Sequence, residues 1–192
     1  GEAAAGQGQV YAMHRLAMLL EELGKRADAR LWLQKAVDAG YAVAQVDLAD
    51  ALKSEGDMEG ALGLYEAAAA QGNGRALQRL SLALTFGLGA AADPERGLRC
   101  LHGAAAAGEL EAQLLLAELP GVPEAEAARW LRAAAEQGSG EAMLSLARRE
   151  LKGGNAAEAA ALLRRAVDAG EPKAAAWLAA LREATAPAAA PH

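Results

Sequence analysis

The chain has 192 residues and a formal net charge of −6, a length that suits one or two ordinary domains. The acidic balance does not favour nucleic acid as a partner, because nucleic-acid binding needs a basic patch. Apolar residues make up 53% of the sequence but aromatic residues only 4%, a composition that suits closely packed helices better than a large β core.

Three further classes of feature are missing from the sequence. A single cysteine excludes an internal disulfide. No apolar run reaches the roughly 18 residues that a direct membrane span requires. Residues 1–8 have no apolar signal-peptide core.

The stretch 73–108 shows the organisation of the chain most clearly. Small or apolar residues follow a helical spacing in its first half, at Ala76, Leu77, Leu80, Ser81 and Leu84. The hinge Gly87-Leu88-Gly89 tolerates positive φ, and Asp93-Pro94 then predicts a helix start with an aspartate N-cap and proline at the first position. A second apolar stripe includes Cys100 and ends at Gly108, which predicts a helical hairpin.

Looser copies of this hairpin recur along the sequence. Glycines predicted to close a helix stand at intervals of 32, 32, 36, 30 and 32 residues, at Gly8, Gly40, Gly72, Gly108, Gly138 and Gly170. An alanine follows each of them by four residues, and a leucine by eight, at Leu16, Leu48, Leu80, Leu116, Leu146 and Leu178. Six leucines in register predict an internal repeat.

The register divides the chain into consecutive units. The predicted repeats are 9–40, 41–72, 73–108, 109–138 and 139–170, followed by a lone first helix over 171–184 and a disordered Ala/Pro-rich tail over 185–192. The fourth repeat turns through Leu119–Pro123, so its first helix must stop early. Residues 1–8 match the last turn of a second helix, as if the chain were cut from a longer array; the alternative is an unstructured start that matches because alanine is common.

These residues resemble the Sel-one-like repeat (SLR), a relative of the tetratricopeptide repeat. The family pattern is matched in the third repeat by Ala76, Leu80-Ser81, the hinge Gly87-Leu88-Gly89, Asp93, Gly97, Cys100-Leu101 and the closing run 104–108. Trp130-Leu131, with its closing AAAEQG, fits the second-helix motif better still. Four of the five repeats depart from the pattern by lacking the long glycine hinge.

The resemblance implies an all-α fold, a single right-handed α-solenoid of stacked antiparallel helix pairs over residues 1–184, with first helices lining a concave groove. Carried over position by position, the partner-binding residues of that groove are Tyr11, His14, Met18, Val43, Val46, Asp50, Arg75, Gln78, Leu82, Phe86, Glu111, Leu114, Glu141, Leu144 and Arg148. Apolar anchors mixed with arginine and glutamate are typical of protein-binding surfaces. The alternative is that Val46, Leu82, Leu114 and Leu144 only pack neighbouring first helices together.

Catalytic and metal-binding motifs are not found. His14, His102 and His192 are scattered, without a cysteine cluster, so neither a metal nor a cofactor is expected. Cys100 is predicted to be a core thiol, and the hinge lacks the Gly-Lys-Ser/Thr of a phosphate loop. No nucleophile, base and orienting group occur together, so the chain is not expected to be an enzyme.

Three functional hypotheses follow. The first is a non-catalytic scaffold or adaptor that binds a protein or peptide, and the family resemblance implies a bacterial source and a role in cell-envelope assembly or polysaccharide export, with the periplasm favoured over the cytoplasm. The second is a regulatory or docking repeat domain of a larger enzyme. The third is self-association through an uncapped solenoid end that exposes an apolar face.

Overall fold

The structure is a computed structural model that describes residues 2–185, with side chains described from residue 6 onward. Over that range it contains eleven α-helices and no strand, which confirms the all-α solenoid prediction. The helices are α1 Glu2–Glu22, α2 Arg26–Asp38, α3 Ala42–Ser54, α4 Met58–Ala70, α5 Gly74–Phe86, α6 Pro94–Ala106, α7 Leu110–Glu118, α8 Glu124–Glu136, α9 Gly140–Lys152, α10 Ala156–Asp168 and α11 Ala174–Thr185.

The chain divides into two compact units. Unit 1 is Gly1–Glu109 and carries α1 to α6, while unit 2 is Leu110–His192 and carries α7 to α11. Within each unit, successive helices pair as hairpins, and each second helix also packs against the first helix that follows it. Each unit is therefore a stack of helical hairpins, in which stacking buries the apolar stripes that one hairpin leaves open.

Local sequence signals set the helix ends of the third repeat as predicted. Asp93 caps α6 by accepting a hydrogen bond from the backbone N–H of Arg96 at 2.9 Å, and Pro94 is the first helical residue. Gly87 ends α5 in the left-handed conformation with φ of 68°, and Gly89 follows with φ of 80°. The early stop of the fourth repeat is also confirmed, since α7 has only nine residues.

The closing glycines act as predicted in all but the first case. Five have positive φ just after a second helix, at Gly40, Gly72, Gly108, Gly138 and Gly170. Gly8 does not close a helix, because α1 runs without a break from Glu2 to Glu22. Both Gly6 and Gly8 lie inside α1, where no atom of another element approaches their Cβ positions. Glycine permits a helix end but does not enforce one, so the alanine-rich segment continues as helix.

The leucines in register form the core, with one exception. Leu48, Leu80, Leu116, Leu146 and Leu178 are buried, but Leu16 is exposed. In unit 1 the buried leucines pack on the preceding second helix: Leu48 clusters with Leu33 and Ala36 of α2. The prediction of a buried leucine therefore fails at Leu16, where no element of the described part of unit 1 covers that side of α1.

The second and fourth repeats each contain a pair of hydrogen-bonded glutamines, one near the start of the first helix and one just after the second helix. Gln71 donates to the side-chain oxygen of the buried Gln45 at 2.9 Å, and Gln137 donates to that of Gln113 at 3.0 Å. The other repeats have an apolar residue at the first position and alanine at the second, as Met13-Ala39, Leu77-Ala107 and Met143-Ala169. The two positions change together because a buried amide needs a hydrogen-bonding partner.

The C-terminal helix begins later than predicted, at Ala174 rather than at residue 171. Pro172 keeps Glu171 out of the helix, because the residue before a proline is disfavoured in the helical conformation. Thr185 is the last residue of α11, and the rest of the predicted disordered tail lies outside the described residues. Across residues 2–185, no helix combines the length and apolar character that crossing a bilayer requires.

Candidate protein-binding surface

The first helices of unit 1 are joined by a row of charged side chains. We call this row the charge ladder: it consists of His14 on α1, Asp47 and Asp50 on α3, and Arg75 and Arg79 on α5. The two aspartates are three residues apart and the two arginines four apart, so each pair lies on one side of its helix. The ladder marks a surface shared by α1, α3 and α5, which we call the first-helix face of unit 1.

Arg75 is the central residue of the ladder. It donates from Nη1 to Asp47 Oδ1 at 3.0 Å and from Nη2 to Asp50 Oδ2 at 2.5 Å. His14 Nε2 lies 2.7 Å from the other oxygen of Asp47, and Arg79 Nε lies 3.4 Å from Asp50 Oδ1. A single guanidinium thus holds two carboxylates of the neighbouring helix in place.

The buried Tyr65 of α4 contacts the ladder from the core. This side chain is buried, and its hydroxyl donates to Asp50 Oδ1 at 2.5 Å. Burial, together with the hydrogen bond to Asp50, raises the pKa of the Tyr65 phenol well above its usual value. Burial alone would lower the pKa of Arg75, but attraction to Asp50 and Asp47 outweighs it and the net shift is upward.

Exposed apolar side chains accompany the ladder. Tyr11 on α1 and Leu82 on α5 are exposed, and Phe86 at the end of α5 is 67% exposed. Phe86 is the one phenylalanine of the sequence. Large apolar residues beside fixed arginines are the composition that carries most binding energy in protein interfaces.

The structure divides the predicted groove residues of unit 1 into three groups. The exposed residues are Tyr11, Arg75, Leu82 and Phe86, and the half-buried ones are Met18, Val43, Asp50 and Gln78. His14 is buried but linked to the ladder, whereas Val46 is 1% exposed and lies in the core. The packing alternative therefore describes Val46, while Leu82 remains free to contact a partner.

In unit 2 the predicted groove residues divide in the same way. Glu111, Glu141 and Arg148 are exposed and Leu114 is half-buried, but Leu144 is 6% exposed and belongs to the core. Arg148 of α9 places its guanidinium 5.5 Å from the ring centre of Trp177 on α11, which is a cation–π contact. This contact joins two first helices of unit 2.

Comparison with solved structures decides the family. A Sel1 repeat protein from Oxalobacter formigenes is 32% identical with a TM-score of 0.72, over 80% of this chain and 49% of that protein. A protective antigen of uropathogenic Escherichia coli with an SLR fold is 28% identical with a TM-score of 0.70, over 94% of this chain and 43% of that protein. This chain is a Sel1-like repeat protein of the tetratricopeptide-like superfamily.

A third structure shares the fold of this Sel1-like chain. It is a putative sel1 repeat protein from Klebsiella pneumoniae subsp. pneumoniae, 21% identical with a TM-score of 0.55, over 94% of this chain and 96% of that protein. The chain spans about half the length of the first two proteins. No protein-family model matches the sequence, and no curated protein matches it. The bacterial origin predicted from the resemblance fits the sources of all three structures.

Several surface residues of the Sel1-like chain were missed by the sequence prediction. Asp47 and Arg79 complete the charge ladder, and Leu115 and Trp177 are further large side chains on first helices of unit 2. All four stand seven residues after a closing glycine, a position that the predicted set omits. Including the residue seven positions after the closing glycine of each repeat in the predicted set would have identified all four.

The structure also shows how the metal-ligating side chains and the thiol of the described residues are placed. Over residues 2–185 no three histidine, cysteine or acidic side chains lie together in a way that could hold a metal ion. Cys100 is buried as predicted, and burial raises the pKa of its thiol, which keeps it protonated.

Proposed function

We propose that this chain is a protein-interaction scaffold that binds a peptide or protein segment on the first-helix face of unit 1. The observation that carries the proposal is the combination of exposed Tyr11, Leu82 and Phe86 with a hydrogen-bonded charge ladder on the same set of first helices. The repeat fold of the Sel1 relatives supports a scaffold rather than an enzyme.

The ladder contributes by fixing the surface before a partner arrives. Arg75 contacts two carboxylates at once and Tyr65 holds one of them from the core, so little side-chain freedom remains to be lost on binding. Ordering a long side chain at an interface costs about 0.5–1.5 kcal/mol, and a preorganised surface avoids much of that cost. The apolar side chains would then supply affinity, and the ladder would supply orientation.

The test uses two double variants that remove similar apolar area. Leu82→Ser with Phe86→Ser alters the proposed surface, whereas Leu31→Ser with Leu98→Ser removes exposed leucines from the second helices α2 and α6. Peptides are selected from a random library on the unaltered chain, and their affinities for both variants are measured by fluorescence anisotropy. We expect the first variant to lose at least about tenfold in affinity and the second to lose little.

The first-helix face would be rejected as the binding surface if the library yields no binder. It would also be rejected if the Leu82/Phe86 variant leaves the affinity of the selected peptides unchanged. Far-ultraviolet circular dichroism of both variants checks that each remains helical. A loss in both variants would point to a general hydrophobic surface instead.

We extend the proposal to a role in the bacterial envelope, such as envelope assembly or polysaccharide export. One similar protein is a protective antigen of uropathogenic Escherichia coli, and antigens that protect are most readily those that antibodies can reach. The test is fractionation of the source bacterium with an antibody against this chain. Recovery from the periplasm or outer surface supports the envelope role, and recovery from the cytoplasm alone rejects it.

A further inference from the structure

A cavity of about 500 Å³ lies between the first hairpin of unit 1 and the helix that follows it. Residues of α1, α2 and α3 line this cavity, which we call the inter-hairpin pocket. Its floor is apolar and buried, formed by Ala17, Ala29, Leu33 and Leu48. Its volume falls within the range of about 300–1,000 Å³ that is typical of ligand sites.

The corresponding space in unit 2, between α7, α8 and α9, is filled by the side chain of Arg149. Arg149 donates to the backbone carbonyl of Ala117 at 3.3 Å and forms an ion pair with Glu124. In the repeat register these three residues correspond to three residues of the pocket lining, which are Ala51, Ala17 and Arg26. A guanidinium of the chain itself therefore occupies in unit 2 the space that is open in unit 1.

The corresponding space between α3, α4 and α5 is filled by a tyrosine. Tyr65 has the repeat position of Leu33, and its hydroxyl donates to Asp50 at 2.5 Å. Asp50 has the repeat position of Met18, which lines the pocket. Both side chains that fill this space elsewhere in the fold thus combine an extended apolar part with a polar end that contacts a carboxylate. In the inter-hairpin pocket leucine and alanine stand at their positions, so the space stays open.

The charges around the pocket favour a cation as the occupant. Its lining contains the carboxylates of Glu21, Asp47 and Glu55 and the guanidiniums of Arg26 and Arg30. Arg30 pairs with Glu55 at 2.8 Å and Arg26 lies 3.7 Å from Glu21, but both pairs are exposed, so the glutamates can exchange partners at little cost. The C-terminal ends of α1 and α3 lie at the pocket, whereas only α2 begins there, and a helix C-terminus attracts positive charge.

We propose that the inter-hairpin pocket binds the side chain of an arginine from a partner protein. The methylene groups of this arginine pack on the buried floor, and its guanidinium pairs with Glu21 and Glu55. Asp47 belongs both to the pocket lining and to the charge ladder, so the pocket borders the first-helix face. The inference rests on the proposed function and specifies one residue of the segment that binds there.

The experiment titrates the full chain with a small arginine derivative. Nα-acetyl-arginine methylamide is added to the isotope-labelled chain, and the backbone amide signals are followed by NMR. We expect saturable shifts confined to the pocket, including Ala29, Leu33 and Ala51, with a Kd on the order of 1 mM. The uncharged citrulline derivative of the same shape should bind about fivefold more weakly, because hydrogen bonds from a charged donor are stronger.

Variants that fill the pocket or change its charge sharpen the test. Ala51→Arg with Arg26→Glu introduces the ion pair found in unit 2 and should weaken binding at least about tenfold. Leu33→Tyr with Met18→Asp introduces the contact found at α4 and replaces the first variant if that one loses helix by circular dichroism. Arg26→Glu alone removes a cation from the rim and should tighten binding about threefold.

Leu82→Ser with Phe86→Ser should leave binding of the arginine derivative unchanged, so failure of the pocket and failure of the first-helix face are distinguished. The proposal is overturned if the derivative causes no saturable shift or if the citrulline derivative binds equally well. Tighter binding of the glutamate derivative, or binding that survives the pocket-filling variants, also overturns it. Pocket shifts that depend on protein concentration without any derivative would assign the pocket to a second copy and reject the proposal.

Discussion

The two units have chemically different side chains at the same positions of the repeat. Seven residues after the closing glycine, unit 1 has Asp47 and Arg79, whereas unit 2 has Leu115 and Trp177. Ten residues after it, Asp50 in unit 1 corresponds to Arg148 in unit 2. None of these six side chains belongs to the buried alanine and leucine register, so packing does not dictate their chemistry. The repeat therefore keeps its core constant and varies its surface.

The difference also changes how first helices are joined. In unit 1 they are linked by directional hydrogen bonds between charged groups, with Arg75 at the centre. In unit 2 they are linked by the hydrogen bond that Arg149 of α9 donates to the backbone carbonyl of Ala117 on α7, at 3.3 Å, and by the cation–π contact between Arg148 and Trp177. Charge-assisted hydrogen bonds to a partly buried carboxylate are stronger than a cation–π contact whose cation is exposed, so the Arg75 contacts of unit 1 should contribute more to stability than the Arg148 contact of unit 2.

The largest effect should come from the core that the units share, and it should be the same in both. Leu80→Ala in unit 1 and Leu146→Ala in unit 2 each remove a buried leucine and should lower the free energy of unfolding by about 2–5 kcal/mol. Leu16→Ala is the matched control: its side chain is partly exposed, so the loss should be about 1 kcal/mol or less. Urea unfolding monitored by circular dichroism measures all three. An equally large loss at Leu16 would contradict the exposure of its side chain.

The second-largest effect on stability is expected at Asp50, which lies ten residues after the closing glycine Gly40. Asp50→Ala leaves the buried hydroxyl of Tyr65 without its acceptor and should lower the free energy of unfolding by about 1–3 kcal/mol. Adding Tyr65→Phe removes the unpaired hydroxyl, so the double variant should lose less than the two single losses combined. The measurement is a double-mutant cycle in urea. Strict additivity would show that the hydrogen bond between them contributes nothing.

A smaller effect should appear at alkaline pH and only through unit 1. Because the folded state raises the pKa of Tyr65, it retains this proton more tightly than the unfolded chain, whose tyrosines ionise near about 10. The stabilisation is fully present below about pH 10 and is lost as the pH rises further toward the folded pKa. The free energy of unfolding should therefore fall more steeply between about pH 9 and about pH 11 in the unaltered chain than in Tyr65→Phe. Parallel slopes would contradict the buried hydrogen bond.

The smallest effect belongs to the surface of unit 2. Arg148→Ala removes the cation from the face of Trp177 and should cost about 0.5–1 kcal/mol, because Arg148 is exposed to solvent. Arg148→Lys should recover part of that loss. Urea unfolding followed by tryptophan fluorescence measures both variants, with Trp177→Leu identifying the signal of that ring. A loss as large as that of Asp50→Ala would show that the surface contacts of Arg148 and of Asp50 contribute equally to stability.

Much of the architecture could be read from the sequence. The hairpins follow from helical spacing, the cap at Asp93-Pro94 from side-chain chemistry, and the short α7 from its prolines. The failures were at Gly8 and Leu16, both in α1, and at the start of α11. At Gly8 the glycine permitted a helix end but did not enforce one, whereas at Leu16 burial depended on a neighbouring helix that the register alone could not supply.

The residues of the candidate surface could be predicted only in part from the sequence. Tyr11, Arg75, Leu82 and Phe86 are exposed on the first helices where the family resemblance places groove residues, but Val46 lies in the core. The hydrogen bonds of the charge ladder could not be predicted, because they join residues 25 to 33 positions apart whose distance depends on how the hairpins stack.

The sequence by itself determined the repeat, most of its helix boundaries and its alanine and leucine core, because these depend on interactions within about one helical turn or on a spacing repeated along the chain. Only the tertiary structure decided which apolar residues are buried and which charges meet. Whether Leu16 or Leu48 is exposed depends on the helix lying across it, and two residues with the same place in the repeat can have different neighbours.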